Sequence, residues 1–226
     1  MMPQTRAELA RLIDHTLLKP EATQAQIDRL CDECLEHHFF AACVNPVWVA
    51  HCAARLAGSD TVVAAVAGFP LGATTADVKA YEALTAMEHG AREVDMVVNL
   101  GALLAGDRLT VTRDIAGVVD SVRRADPEAR VKVILETRAL TDEQIILGCR
   151  CAVEAQADFV KTSTGFHPAG GATVEHVALL KKYAAPLRVK AAGGLHDLPA
   201  ALAMIDAGAD RLGMSASVAV VQAMGE

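Results

Sequence analysis

The chain has 226 residues, 52% of them hydrophobic, and a formal net charge of −7. That is length and apolarity enough for a sizeable core, and the acidic balance disfavours nucleic acid and anionic membrane surfaces as partners. The start "MMPQTRAELA" turns polar at once, and no apolar run approaches the roughly 18 residues that span a bilayer, so no membrane partner and a cytoplasmic location are expected.

A helix over about Arg6 to Leu12 comes first. Eight strand-length apolar runs follow: "IDHTLL", "FAACV", "TVVAAVAG", "EVDMVVN", "VKVILET", "DFVKTS", "LRVKAAGG" and "DRLGMS". Several are continuously apolar rather than alternating, the pattern of parallel strands buried on both faces. The segments between them read as helices. Ile27, Leu30, Cys31, Cys34 and Leu35 share one helical face. Thr23 with Gln26, and Thr141 with Gln144, make capping boxes, and Asp197 is an N-cap with Pro199 in the first turn.

Two helix-to-strand joints resemble each other. "EAQADFV" and "DAGADRL" share acidic-Ala-x-Ala-Asp before a strand, and Asp158 and Asp210 are 52 residues apart (210 − 158), which fits two βα units. Eight strands over this length give about 28 residues per unit, a normal size. The expected fold is α/β: a (β/α)8 TIM barrel with an extra N-terminal helix closing the barrel bottom, as a single domain over residues 1–226. An open doubly wound sheet is disfavoured because no G-x-G-x-x-G follows the first strand.

Six cysteines include a C-x-x-C, Cys31 and Cys34, and a C-x-C, Cys149 and Cys151. Both lie inside helix-like patterns rather than loops. They read as small buried hydrophobes, with no metal site expected.

In a barrel of this kind the strand C-termini carry the active site. Three ionisable residues sit within otherwise apolar strands there: Asp95 in strand four, Lys161 at the end of strand six, and Lys190 in strand seven. A buried ion pair that sets strand register is the plainer account. The functional account has a stronger physical basis. Two lysines close together depress each other's pKa, so one can be neutral and nucleophilic near pH 7. A neutral amine condenses with a carbonyl to an iminium, which acts as an electron sink for C–C cleavage, and a nearby carboxylate moves the proton.

Small residues converge on the same end. Gly170 and Gly171 precede a helix start, Gly193 and Gly194 follow strand seven, and Ser215 follows strand eight. Glycines let an anion approach backbone N–H groups, and phosphate often docks after barrel strands seven and eight. Cys43, at the end of strand two, reads either as a mouth-facing thiol or as a core thiol. His15 reads either as reaching the pocket or as packed. Asn45 and Asn99 are candidates to orient water or a substrate hydroxyl. Lys132 is placed at the barrel bottom, outside the catalytic set.

Seven motifs run in order along the chain: "IDHTLLKPEAT", "CVNP", "GFPLGATT", "EVDMVVNLGALLAGD", "KVILET", "DFVKTSTGF" and "VKAAGG". Together they resemble the deoxyribose-phosphate aldolase family, in its shorter bacterial and archaeal form. The resemblance implies class I aldol chemistry with no metal and no cofactor. Acetaldehyde would be the donor and glyceraldehyde 3-phosphate the acceptor, and 2-deoxy-D-ribose 5-phosphate would be cleaved in reverse. It implies Lys161 as the Schiff-base lysine, Lys190 as the lysine that lowers its pKa, and Asp95 as the proton relay. Asp14 would line the site, and Gly171, Gly193, Gly194 and Ser215 would hold phosphate. A small sugar phosphate and acetaldehyde are the implied partners, with a homodimer as the assembly allowed for.

Three departures from the family pattern stand out. His167, Pro168, Ala169 and Gly170 replace a Gly-Thr-Gly-Gly-like run, so any change in phosphate affinity is expected there. Met214, Ser215, Ala216 and Ser217 replace a Thr-Ser-Ser-Gly-like stretch. The chain also ends "VVQAMGE" with no tyrosine tail, and its tyrosines are Tyr81 and Tyr183.

Overall fold

The computed structural model describes residues 2–225. Eight strands form in the eight expected runs: β1 Ile13–Leu17, β2 Ala41–Val44, β3 Val62–Ala67, β4 Glu93–Val97, β5 Arg130–Ile134, β6 Phe159–Lys161, β7 Arg188–Ala192 and β8 Arg211–Met214. Neighbours in sequence pair in parallel, and β8 returns to β1 to close the barrel. The helices are α1 Arg6–Ala10, α2 Gln24–His37, α3 Val49–Arg55, α4 Ala76–Glu88, α5 Leu100–Leu104, α6 Arg108–Ala125, α7 Asp142–Glu154, α8 Val174–Tyr183, α9 Leu198–Asp206 and α10 Ser217–Ala223. This is a TIM barrel with a helix added at the N-terminus.

That added helix stops at Ala10, short of the expected Leu12. The carbonyl of Leu12 already accepts the N–H of Leu212 at 2.7 Å, so the sheet ladder takes over from the helix there. Leu9 and Ala10 are buried, and the Arg6 guanidinium donates to the carbonyls of Met224 (2.6 Å) and Gln222 (3.2 Å). The N-terminal helix is thereby tied to the end of α10.

Local signals act where they were expected. Thr141 and Gln144 cap α7 reciprocally, with the Thr141 N–H 2.9 Å from Gln144 Oε1. At the start of α2 the Thr23 N–H donates to Gln26 Oε1 at 2.9 Å, and Asp197 Oδ1 accepts the Ala200 N–H at 2.8 Å to cap α9. The two similar joints have one structural role. Asp158 Oδ2 accepts the Val131 N–H and Asp210 Oδ2 accepts the Val189 N–H, both at 2.9 Å. Each aspartate satisfies a donor of the preceding strand where the ladder begins.

The main core lies between the sheet and its helices. Cys31 and Cys34 on α2, and Cys149 and Cys151 on α7, are buried in it as free thiols. A second, smaller cluster of Leu18, Ala41, Cys43, Ala64 and Val66 lies among β1–β3. Period-two alternation separates the two: Ala41 and Cys43 belong to the small cluster, Ala42 and Val44 to the large one. The remaining strands turn charged side chains inward. Among the described residues no helix is long and apolar enough to cross a membrane.

Candidate active site

Seven ionisable side chains meet inside the barrel. Asp14 comes from β1, Glu93 and Asp95 from β4, Lys132 from β5, Lys161 from β6, Lys190 from β7 and Arg211 from β8. None is more than 4% exposed. Alternation puts Glu93 and Asp95, two residues apart, on the same inward face.

Asp95 is the hub. Its Oδ2 accepts from both Lys161 and Lys190 at 2.7 Å, and its Oδ1 accepts from Lys132 at 2.7 Å. Lys190 also donates to Asp14 Oδ2. Asp14 Oδ1 takes Arg211 at 2.7 Å, and Glu93 Oε2 takes Lys132 at 2.5 Å and Arg211 at 3.1 Å.

The two lysines that share Asp95 are driven in opposite directions. Burial lowers the pKa of Lys161, and the attraction of Asp95 does not offset burial and the nearby Lys190 charge. Burial acts the same way on Lys190, but Asp14 and Asp95 outweigh it and hold Lys190 above the ordinary lysine value. Lys132 is raised as well, since Asp95 and Glu93 overcome its burial. Burial alone would raise both aspartates. Lys132, Lys161 and Lys190 instead hold Asp95 well down, and Lys190, Arg211 and Lys132 do the same for Asp14. The site therefore sets an amine whose proton burial and Lys190 loosen beside lysines and carboxylates held in their charged forms.

Glycine makes the room. A Cβ at Gly213 on β8 would lie 2.9 Å from Lys190 Cε. Above the cluster a cavity of about 340 Å³ opens between the ends of β1, β6, β7 and β8. Lys161 lies on its floor, and Gly193, Gly194 and Ser215 are on its wall together with Lys19 and His196. Phe166, also on the wall, meets Phe69 of the β3 loop edge-on, with ring centroids 5.3 Å apart.

The other residues singled out in the sequence fall in several places. Gly171 does not line the cavity; it backs Gly193, where a Cβ would come within 2.1 Å of the Gly193 carbonyl oxygen. The His167–Gly170 turn also stays off the cavity wall and is held within itself. Gly170 N–H donates to the His167 carbonyl and Ala169 N–H to His167 Nδ1, both at 3.1 Å, and Arg138 donates to the Ala169 carbonyl at 3.2 Å. His15 points out of the barrel, to Glu33 at 2.7 Å and Ser217 at 2.9 Å. Cys43 faces inward, and burial pushes its thiol pKa up. Asn45 is spent on the Leu18 carbonyl at 3.0 Å, and Asn99 on capping α5 through Ala102 N–H at 3.0 Å.

Lys132 needs correction. It is the third residue of β5, and the register pairs it with Asp95, so it joins the charged cluster rather than the barrel bottom. Glu93, Arg211, Lys19 and Gly213 were not singled out in the sequence. Inward parity in "EVD" and "DRLG" is the sequence signal for three of them.

Residues 9–223 match the model of the DeoC/LacD family aldolases. A deoxyribose-phosphate aldolase of Enterococcus faecalis is 53% identical over 95% of this chain and 96% of its own length. One from Brevibacillus brevis is 54% identical over 93% of this chain and 94% of its own. Among solved structures, the deoxyribose phosphate aldolase of Aeropyrum pernix, described as tetrameric, superposes with a TM-score of 0.90 at 34% identity, covering 97% of this chain and 92% of that one. Barrel, buried lysines and sequence agree along the whole length, and the chain belongs to the DeoC/LacD family of aldolases, enzymes of the carbon–carbon lyase class.

Proposed function

We propose that the chain reversibly cleaves 2-deoxy-D-ribose 5-phosphate to D-glyceraldehyde 3-phosphate and acetaldehyde through a Schiff base on Lys161, in cytoplasmic deoxyribose phosphate catabolism. The observation that carries this reading is Lys161 itself. It lies on the cavity floor with a lowered pKa and hydrogen-bonds a carboxylate oxygen that it shares with Lys190. The relatives above are deoxyribose-phosphate aldolases, and they supply the substrate of this reading.

In this reading the neutral Lys161 amine adds to C1 of the open-chain sugar and forms a C–N bond. The carbinolamine oxygen takes a proton and leaves as water, giving the iminium. Loss of the C3 hydroxyl proton then breaks C2–C3. That electron pair moves into the iminium, which becomes an enamine as glyceraldehyde 3-phosphate departs. Protonation at C2 and hydrolysis release acetaldehyde and return the amine. Asp95 Oδ2 touches both lysines, so a proton passes between Lys190 and the groups at Lys161 by a short path through Asp95. Asp14 orients Lys190. The backbone at Gly193 and Gly194, with Gly171 supporting it from behind, and the Ser215 hydroxyl hold the phosphate. The reading's partners are the sugar phosphate and acetaldehyde, with a homodimer as the assembly, checked by light scattering.

The experiment is borohydride reduction of the protein with deoxyribose 5-phosphate, followed by peptide mass spectrometry. A reduced two-carbon adduct on Lys161 is expected. Turnover with no adduct at that residue would overturn the mechanism.

A further inference from the structure

The six ions beneath Lys161 form a closed ring. Asp95 bonds Lys190 at 2.7 Å, and Lys190 bonds Asp14. Asp14 bonds Arg211 at 2.7 Å, Arg211 bonds Glu93 at 3.1 Å, Glu93 bonds Lys132 at 2.5 Å, and Lys132 returns to Asp95 at 2.7 Å. Anion and cation alternate around it, three of each. The ring is neutral, and Lys161 hangs from Asp95 as the seventh charge-bearing group.

We infer that Arg211 and Glu93 are positioning residues for the reaction: they complete a neutral ring, and that completion leaves Lys161 without a counter-ion of its own. The inference rests on Lys161 being the reactive amine proposed above. Neither residue lines the cavity, so neither touches substrate directly.

Charge must balance in a dry site. A protonated Lys161 would give the buried cluster a net positive charge, which burial penalises. One proton must therefore be weakly held, and the ring decides which. Arg211 keeps its proton. Lys190 sits between two carboxylates, as does Lys132. Lys161 touches one carboxylate oxygen, already shared. The other groups facing the cluster leave the count unchanged. Cys43 on β2 is held as the neutral thiol by burial. Arg188 on β7, with Arg130 near it, is only half-buried and stacks on Phe159 at 4.1 Å. Phe40 fixes Arg211 itself, the guanidinium carbon lying 3.4 Å from its ring centroid.

The ring makes a sign prediction that a merely structural role does not. Arg211→Gln leaves the ring one positive charge short, so protonated Lys161 restores neutrality and its pKa rises. Glu93→Gln leaves one negative charge short, and the pKa of Lys161 falls further. The double substitution is balanced again, and Arg211→Lys never loses balance.

The measurement is competitive labelling of Lys161 with acetic anhydride across pH, read by mass spectrometry, alongside the pH profile of kcat/KM. The single glutamine variants are expected to move the Lys161 titration in opposite directions, each by about one unit or more. The double variant and Arg211→Lys are expected to titrate near the wild-type value, and being charge-balanced they carry the test if a single variant fails to fold. Shifts of the same sign, no shift, or a double variant displaced as far as either single one overturn the inference. Labelling reads the amine without turnover, so the ring is tested even where no aldehyde adduct forms. A missing adduct instead counts against the proposed function.

Discussion

Gly213 makes the space that Lys190 fills. A methyl group on its Cα would lie 2.9 Å from Lys190 Cε and 3.1 Å from the Ala192 Cβ. The first contact is closer than packed atoms accept and the second is tighter than most, and Lys190 is fully buried with ion partners on either side. Gly213→Ala is expected to push Lys190 off Asp95, cost about 1–3 kcal/mol as overpacking does, and lower kcat by roughly 10²-fold, as ångström-scale misplacement can. Urea unfolding and a coupled retro-aldol assay check this. An unchanged kcat would show that Lys190 does not need its present position.

Lys161 and Lys132 are both buried partners of Asp95, yet their removal should differ in kind. Lys161→Met leaves the ring beneath it neutral and complete. Its fold and unfolding midpoint are expected to persist while turnover disappears. Lys132→Met strips a partner from both Asp95 and Glu93. Breaking a buried pair in this way costs about 3–5 kcal/mol. Circular dichroism and denaturant midpoints of the two variants decide the matter, and equal losses of stability would contradict the assignment.

Acid should unfold this protein through its aspartates. Asp14 and Asp95 are held below the ordinary carboxylate range, so their contribution to stability is complete above the unfolded value of about 3.9 and is lost as pH falls toward their folded values. Lys132 and Lys190 are raised, so theirs is complete below about 10.4 and lost as pH climbs through their folded values. The urea midpoint is expected to fall steeply below about pH 4. A midpoint at pH 3 equal to that at pH 7 would refute the account.

Lys19 is the lysine on the upper wall of the cavity, near Gly193, Gly194 and Ser215. In a chain of net charge −7, anion binding needs such a local donor. Lys19→Ala is expected to raise KM for deoxyribose 5-phosphate by about tenfold, the worth of one charge-assisted hydrogen bond, and to leave KM for unphosphorylated deoxyribose in place. The difference should shrink at high salt. Equal effects on both sugars would place Lys19 elsewhere in the mechanism.

The barrel is legible in the chain before it folds. Continuous apolar runs and capping boxes are local signals, and each acts on its own few residues in the fold, while the Asp158 and Asp210 joints recur once per unit and reach back to the preceding strand. Asp95, Lys161 and Lys190 were legible too, because an ion inside an apolar strand is costly enough to need a reason. How those charges are shared follows from the closed barrel instead. Lys132 reads in sequence as a residue near a strand start, and strand starts belong to the barrel bottom. The stagger of neighbouring strands sets Lys132 level with Asp95, and Lys161 level with Ile134 on one side and Lys190 on the other. Stagger is a property of closure and is written in no single strand. For the same reason the close approach of Gly171 to Gly193, where a Cβ would lie 2.1 Å from the Gly193 carbonyl oxygen, is visible only in the closed barrel. The neutral ring through Arg211 and Glu93 exists only once β8 has met β1.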